Sequence, residues 1–406
     1  MKMKKVNFWS LALMATALLT ACDKKEEATA EEAAGNFEVE YFAFQQEEDG
    51  PWGLMDTEGN VLVKPKYDGE TSAVVGGAFY VSNSDYERTL YTAGKKPKKI
   101  GHFKDCGSFT SELCPVMDFD ENLKYINKQG DVVIDLAEMN GKTVTAAFNF
   151  YCGLALVCLE YNKWGFIDEE GNDVIPCKFA DAWHFSDDVA LVYLQNPTYE
   201  ENDNGKWCVI DKEGKKLFTK RFSDIKPSEY MYRDGLLEVT DSDGKYQVID
   251  KEGNMVYKCN EGDFTMNIYN GMFCVYNHDT EKRGLMNADN EWVMKQKYDA
   301  IEFNGKLIAA KQNDRWAIYN TDAEKTGTLP AGIETVNLFE SHYKNSDNVF
   351  LAGSWDEGYA LYNSEGKKIK TDAKIRYFSK DFSWGIMQGG EEEYYEDYEE
   401  DGDYEE

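Results

Sequence analysis

The chain of 406 residues carries 75 acidic against 44 basic side chains, a formal net charge of −31 at pH 7. That balance makes nucleic acid a poor partner, because binding a phosphate backbone draws on clustered Lys and Arg. Eleven of the acids crowd between Glu391 and Glu406, so the excess is concentrated at one end.

At the N-terminus Lys2, Lys4 and Lys5 precede an apolar run from Val6 to Leu19. The run is short for a membrane-spanning helix, and with its basic flank residues 1–21 read as a signal peptide. It closes on Leu19-Thr20-Ala21-Cys22, which resembles the lipobox at which lipoprotein signal peptidase cuts before an acylated cysteine. An ordinary secretory signal with an incidental cysteine is the alternative. The resemblance implies a lipid on Cys22, and two or three acyl chains at roughly 0.8 kcal/mol per buried methylene hold a protein on a membrane where one chain would not.

Residues 22–36 are charged and alanine-rich with no large apolar side chain before Phe37, which suits a flexible tether. The stretch Lys24-Lys25-Glu26-Glu27 resembles the charged export tags of surface-exposed bacterial lipoproteins. The resemblance implies an outer-membrane lipoprotein facing outward, with a periplasm-facing body as the alternative. Loss of the three signal-peptide lysines takes the mature chain to about −34.

From Phe37 to Gln388 the sequence repeats. Trp52-Gly53-Leu54-Met55-Asp56 with Gly59 is matched by Trp164-Gly165-Phe166-Ile167-Asp168 with Gly171. The same frame holds Trp207 with Asp211 and Gly214, and Tyr246 with Asp250 and Gly253. Taking the Asp as a marker, it advances along Asp56, Thr92, Asn127, Asp168, Asp211, Asp250, Asn287, Asn320 and Asn363 in steps of 33 to 43 residues. Trp316 and Gly366 keep their places in the last two units. Asp or Asn at a turn's start accepts backbone N–H groups, and a glycine three residues on supplies the left-handed conformation of a bulged hairpin.

The two residues before each marker are apolar or aromatic, as in Leu54-Met55, Phe166-Ile167 and Val248-Ile249. Neighbouring strand residues point to opposite faces, so this strand must be covered on both. The reading is an all-β repeat array of three- to four-stranded antiparallel units. Such an array is β-propeller-like with about eight or nine blades, or alternatively an open stacked β-superhelix. Phe382 to Met387 reads as a last strand completing the first blade.

These residues resemble the WG repeat family, named for pairs such as Trp52-Gly53 and Trp164-Gly165. The family implies a β-rich scaffold over residues 37–388 and carries over no catalytic residue. It points to a non-enzymatic binding or scaffolding module for protein or glycan at the cell envelope. A hydrolase with its site in a central channel or cleft is the alternative.

Of the nine cysteines, Cys106, Cys114, Cys152, Cys158, Cys177, Cys208, Cys259 and Cys274 could pair in an oxidising compartment, although several lie in apolar strand-like runs that suit buried thiols. No Cys-x-x-Cys occurs, and His102, His184, His278 and His342 fall in different units without ligand spacing. No metal ligand, catalytic residue or cofactor is therefore expected. Asp241-Ser242-Asp243-Gly244 and Asn202-Asp203-Asn204-Gly205 are fragments of calcium loops that read better as turns. The recurring tryptophans read as core, and exposed rings as a platform for sugars or peptides. Residues 389–406 read as a disordered acidic tail, with weak divalent-cation binding as its candidate role.

Overall fold

The computed structural model describes residues 37–38, 41–160, 163–194, 206–220, 224–225, 232–241, 243–339, 343–344, 349–380 and 383–388. Cys22, the tether, His342, Asn202 to Gly205 and the acidic tail lie outside the described residues. Among those described there is no α-helix, and nine antiparallel sheets follow one another as blades. Blade 1 holds Tyr41–Gln45, Trp52–Asp56 and Val61–Tyr67; blade 2 holds Ala78–Ser82, Arg88–Thr92 and Lys99–Phe103. Blade 3 runs from Asp105–Cys106 to Val132–Asp135, blade 4 from Glu138–Met139 to Asp173–Phe179, and blade 5 from Asp181–Ala182 to Lys216–Lys220. Blade 6 runs from Asp224–Ile225 to Met255–Lys258, blade 7 from Asp263–Tyr269 to Trp292–Tyr298, and blade 8 from Ala300–Phe303 to Lys325–Thr328. Blade 9 holds Thr335–Asn337, Phe350–Ser354 and Gly358–Tyr362. Separately, Phe37–Glu38 pairs in parallel with Tyr343–Lys344.

Each marker ends or directly follows its blade's Trp-Gly-type strand, and the residues before it explain why blades stack. Leu54 packs toward blade 2 and Met55 toward blade 9. Phe166 packs toward blade 5 and Ile167 toward blade 3, and Val248 and Ile249 divide in the same sense. All six side chains are fully buried, and each contributes about 1.5–3 kcal/mol by leaving water. Only a layer on either side can bury such a strand on both faces. The layers close on themselves, because Phe42, Phe44 and Met55 of blade 1 share a core with Leu351 and Leu361 of blade 9. The fold is a closed nine-bladed β-propeller.

The turn after the marker follows from its side chain. In blade 4 the Asp168 carboxylate accepts the Asn172 N–H at 2.7 Å and the Asp168 carbonyl accepts the Gly171 N–H at 2.9 Å. Gly171 sits at φ 81°, where a β-carbon is strained. Gly59, Gly214, Gly253 and Gly366 hold the same position behind Asp56, Asp211, Asp250 and Asn363. In blades 7 and 8 Asn290 and Ala323 replace the glycine yet keep φ at 63° and 59°.

The glycine after the aromatic has a different cause. A β-carbon on Gly165 would lie 2.5 Å from the Ile175 carbonyl oxygen and 2.6 Å from the Cys177 nitrogen. The outer strand bulges there, pairing Trp164 with Phe179 but Phe166 with Ile175. Gly53 and Gly284 meet the same bulge, and their blades are 1, 4 and 7, every third around the ring. Trp207-Cys208 pairs in unbroken register with Lys220 and Thr219, the shift coming only after Val209, and needs no glycine. Around these strands Trp316 is buried, while Trp52, Trp164 and Trp207 are half-buried against the inter-blade cores.

The chain's end corrects one expectation. Blade 1 is completed by Tyr377–Phe378, which pairs with Gln45 and Phe44. The later segment crosses to blade 4, where Gly385–Met387 pairs with Phe148 to Ala146. Ile386 is an apolar residue flanked by Gly385, and the blade 3–4 core accepts it at 1% exposure. The repeat period places no such partner, because a strand this short pairs wherever its side chain finds a core. The eight described cysteines stand as thiols, seven buried and Cys177 half-buried. No disulfide forms among them, and burial pushes the Cys177 thiol up to about 12, which leaves it inert.

Candidate binding cavity

Propeller blades are arranged about a central channel, and the first strands of four of them border one cavity here. Asn267 and Tyr269 of blade 7, Glu302 and Phe303 of blade 8, Thr335 to Asn337 of blade 9, and Tyr377 and Phe378 of blade 1 all border one space of ≈770 Å³. Strands from four blades meet there only because the ring brings their free edges together. Trp355, Tyr359, Glu48, Asp49 and Lys380 border it as well.

Short-range chemistry fixes these walls. The Trp355 and Tyr377 rings lie 5.2 Å apart at 60°, and Tyr359 meets Phe378 edge to face at 4.9 Å. The Arg376 guanidinium covers Tyr377 at 4.9 Å, donates to the Trp355 carbonyl and stands 3.8 Å from Glu48. Asn267 takes a left-handed φ of 54° at a bulge between Met266 and Ile268, a device that turns a side chain out of the ladder. The Asn304 oxygen accepts the Leu307 N–H and the Asn337 oxygen the Phe339 N–H, which shapes the turns behind the wall.

On the blade 4 side the axis is occupied. Trp384 stacks on His184 at 5.6 Å, and Phe148 and Tyr151 close on the same imidazole at 5.1 Å. Desolvation pushes His184 down to about 3, so it is neutral at ordinary pH. Asn149 donates its side-chain amide to the Ser383 carbonyl, holding the crossing segment in place.

The other sequence candidates stay apart. His102 bridges Thr89 and Glu87 on blade 2, and His278 is exposed on blade 7. No three His, Cys, Asp or Glu side chains among the described residues gather as a metal-binding group. Asp241 accepts from Lys258 at 2.7 Å and from the Asp243 and Lys245 N–H groups, so it caps a turn. The Lys258 hydrogen bond, the largest influence, holds its carboxyl well below the usual range. The recurring Trp-Gly residues brace blades and do not border the cavity, apart from Trp52. Trp355 and Tyr377 were missed because they lie outside the repeat register; a tryptophan off the frame is the signal that would have found them.

The WG containing repeat family model matches residues 52–69, 164–196 and 284–316. These segments contain Gly53, Gly165 and Gly284 and the doubly bulged outer strands they face. In these three segments the nine-bladed propeller is similar to WG repeats. No curated protein matches it in sequence. Among solved structures, a eukaryotic initiation factor is similar at TM-score 0.55 and 11% identity, over 84% of this chain and 97% of that one. The dihydro-heme d1 dehydrogenase NirN in complex with DHE gives 0.42 and 13% over 84% and 74%. BamB from Moraxella catarrhalis gives 0.37 and 12% over 72% and 92%. Only the first overlays well enough to bear on fold, and at these identities none bears on activity.

Proposed function

We propose that the protein is an envelope lipoprotein, fixed by acylated Cys22, whose propeller is a non-enzymatic binding or scaffolding module for protein or glycan. One observation carries the binding role: four blades contribute rings, an amide and carboxylates to a single cavity on the axis. Concave sites with mixed apolar walls and a few polar groups are where proteins hold ligands. Its bordering residues include three carboxylates and no histidine, and the buried imidazole lies instead under the crossing segment. Among the described residues the cavity therefore offers no imidazole for a Ser-His-Asp relay.

The lipid supplies the address, in the outer membrane with the tether carrying the body outward. The acidic tail is a candidate for weak divalent-cation binding. Labelling cells with an acyl probe tests the anchor, with label expected on the natural chain and lost in Cys22→Ser. Capture of partners from intact cells, paired with a glycan screen, tests the binding role; no retained protein and no retained glycan would refute it. Protease shaving reports the side of the membrane. A chain ending at residue 388 that binds calcium as well as the full chain does would remove the tail's role.

A further inference from the structure

Resting on that binding role, we infer that the axial cavity takes a neutral oligosaccharide, stacked on Trp355 where it meets Tyr377. Trp355 is 65% exposed, more than any other described tryptophan. An indole that borders a cavity beside a second ring is a large amphipathic surface of the kind that lines ligand sites. Tyr377 meets the indole at a 60° tilt and leaves most of it exposed, and a pyranose offers a flat array of C–H bonds that fits an exposed ring face.

The polar groups suit hydroxyls. Asn267 is turned to the cavity by its bulge, and among the described residues its side-chain amide forms no hydrogen bond, unlike those of Asn304 and Asn337. An amide donates and accepts at once, as vicinal hydroxyls require. The carboxylates of Glu48, Asp49 and Glu302 are opposed by Lys380 and by Arg376. Charges so nearly balanced give no reason to select a strongly charged occupant. A space of ≈770 Å³ lies within the range of small-ligand sites, roughly 300–1,000 Å³, and admits several sugar rings.

The test is calorimetric titration of the detergent-solubilised full chain with neutral gluco-, galacto- and manno-oligosaccharides of about four to six units. Tryptophan fluorescence is followed in parallel. At least one sugar should bind and quench the indole signal. Trp355→Ala should weaken it about tenfold or more, the equivalent of one lost stacking contact, while Trp355→Phe keeps most of the affinity. Asn267→Gly, which suits the left-handed backbone, should also weaken it, and Tyr86→Ala, an exposed ring on blade 2, should leave it unchanged. Circular dichroism melts confirm that each variant folds. Absence of sugar binding, or equal binding by Trp355→Ala, overturns the assignment. Saturable binding of a lysine-rich peptide with the same Trp355 dependence also overturns it, yet leaves the binding role standing. Loss of sugar, peptide and cell-derived partners together removes both.

Discussion

His184 ties pH to the stability of the crossing segment. Its imidazole is 5% exposed, enclosed by Phe148, Tyr151 and Trp384, and burial pushes its pKa from 6.5 to about 3. The unfolded chain therefore takes up a proton on this side chain near pH 6.5, while the folded chain resists until about pH 3. Because the unfolded state binds more protons in that window, stability falls as pH falls through it. Each unit costs about 1.4 kcal/mol, so acidification from pH 7 to 5 removes about 2 kcal/mol through this group alone. His184→Phe keeps a flat ring and cannot titrate. Urea unfolding of both proteins at pH 7 and pH 5, at constant ionic strength, should show the natural protein losing about 2 kcal/mol more than the variant. Equal losses would refute the claim that this imidazole is held neutral by burial.

Four further outcomes follow from the backbone. Gly165→Ala forces a β-carbon against the Ile175 carbonyl and the Cys177 nitrogen, and should cost about 2–4 kcal/mol in denaturant unfolding. Ala323→Gly relieves a left-handed alanine at φ 59° and should raise stability by about 0.5–1 kcal/mol on the same measurement. A chain ending at Arg376 leaves the Phe44 edge of blade 1 unpaired and uncovers Tyr359; it should melt many degrees lower and be cut readily by protease. A chain ending at residue 388 should melt like the full protein.

The blades were legible because each one must solve the same local problem. Asp168 closes its turn through the next amides, and Phe166-Ile167 needs a neighbour on either side, so marker and burial pattern both repeat in the chain. The phase of the repeat was less visible. Asp181–Ala182 is the first strand of blade 5, and its two residues carry too little apolar pattern for the repeat to assign. The destination of Gly385–Met387 was hidden for the same reason. The cavity was hidden more deeply, because Asn267, Glu302, Thr335 and Tyr377 meet only through the ring's curvature, and no spacing along a chain encodes that.

The outer strands of blades 1 to 8 all shift register beside the turn, and those of blades 1, 4 and 7 carry a second bulge opposite Gly53, Gly165 and Gly284. The intervals between these glycines are 112 and 119 residues (165 − 53 and 284 − 165). The circumference thus divides into three comparable arcs, each opening with a doubly kinked margin. A β-carbon at any of the three glycines would press on the outer strand's backbone, so each arc is pinned at its opening by the absence of one atom.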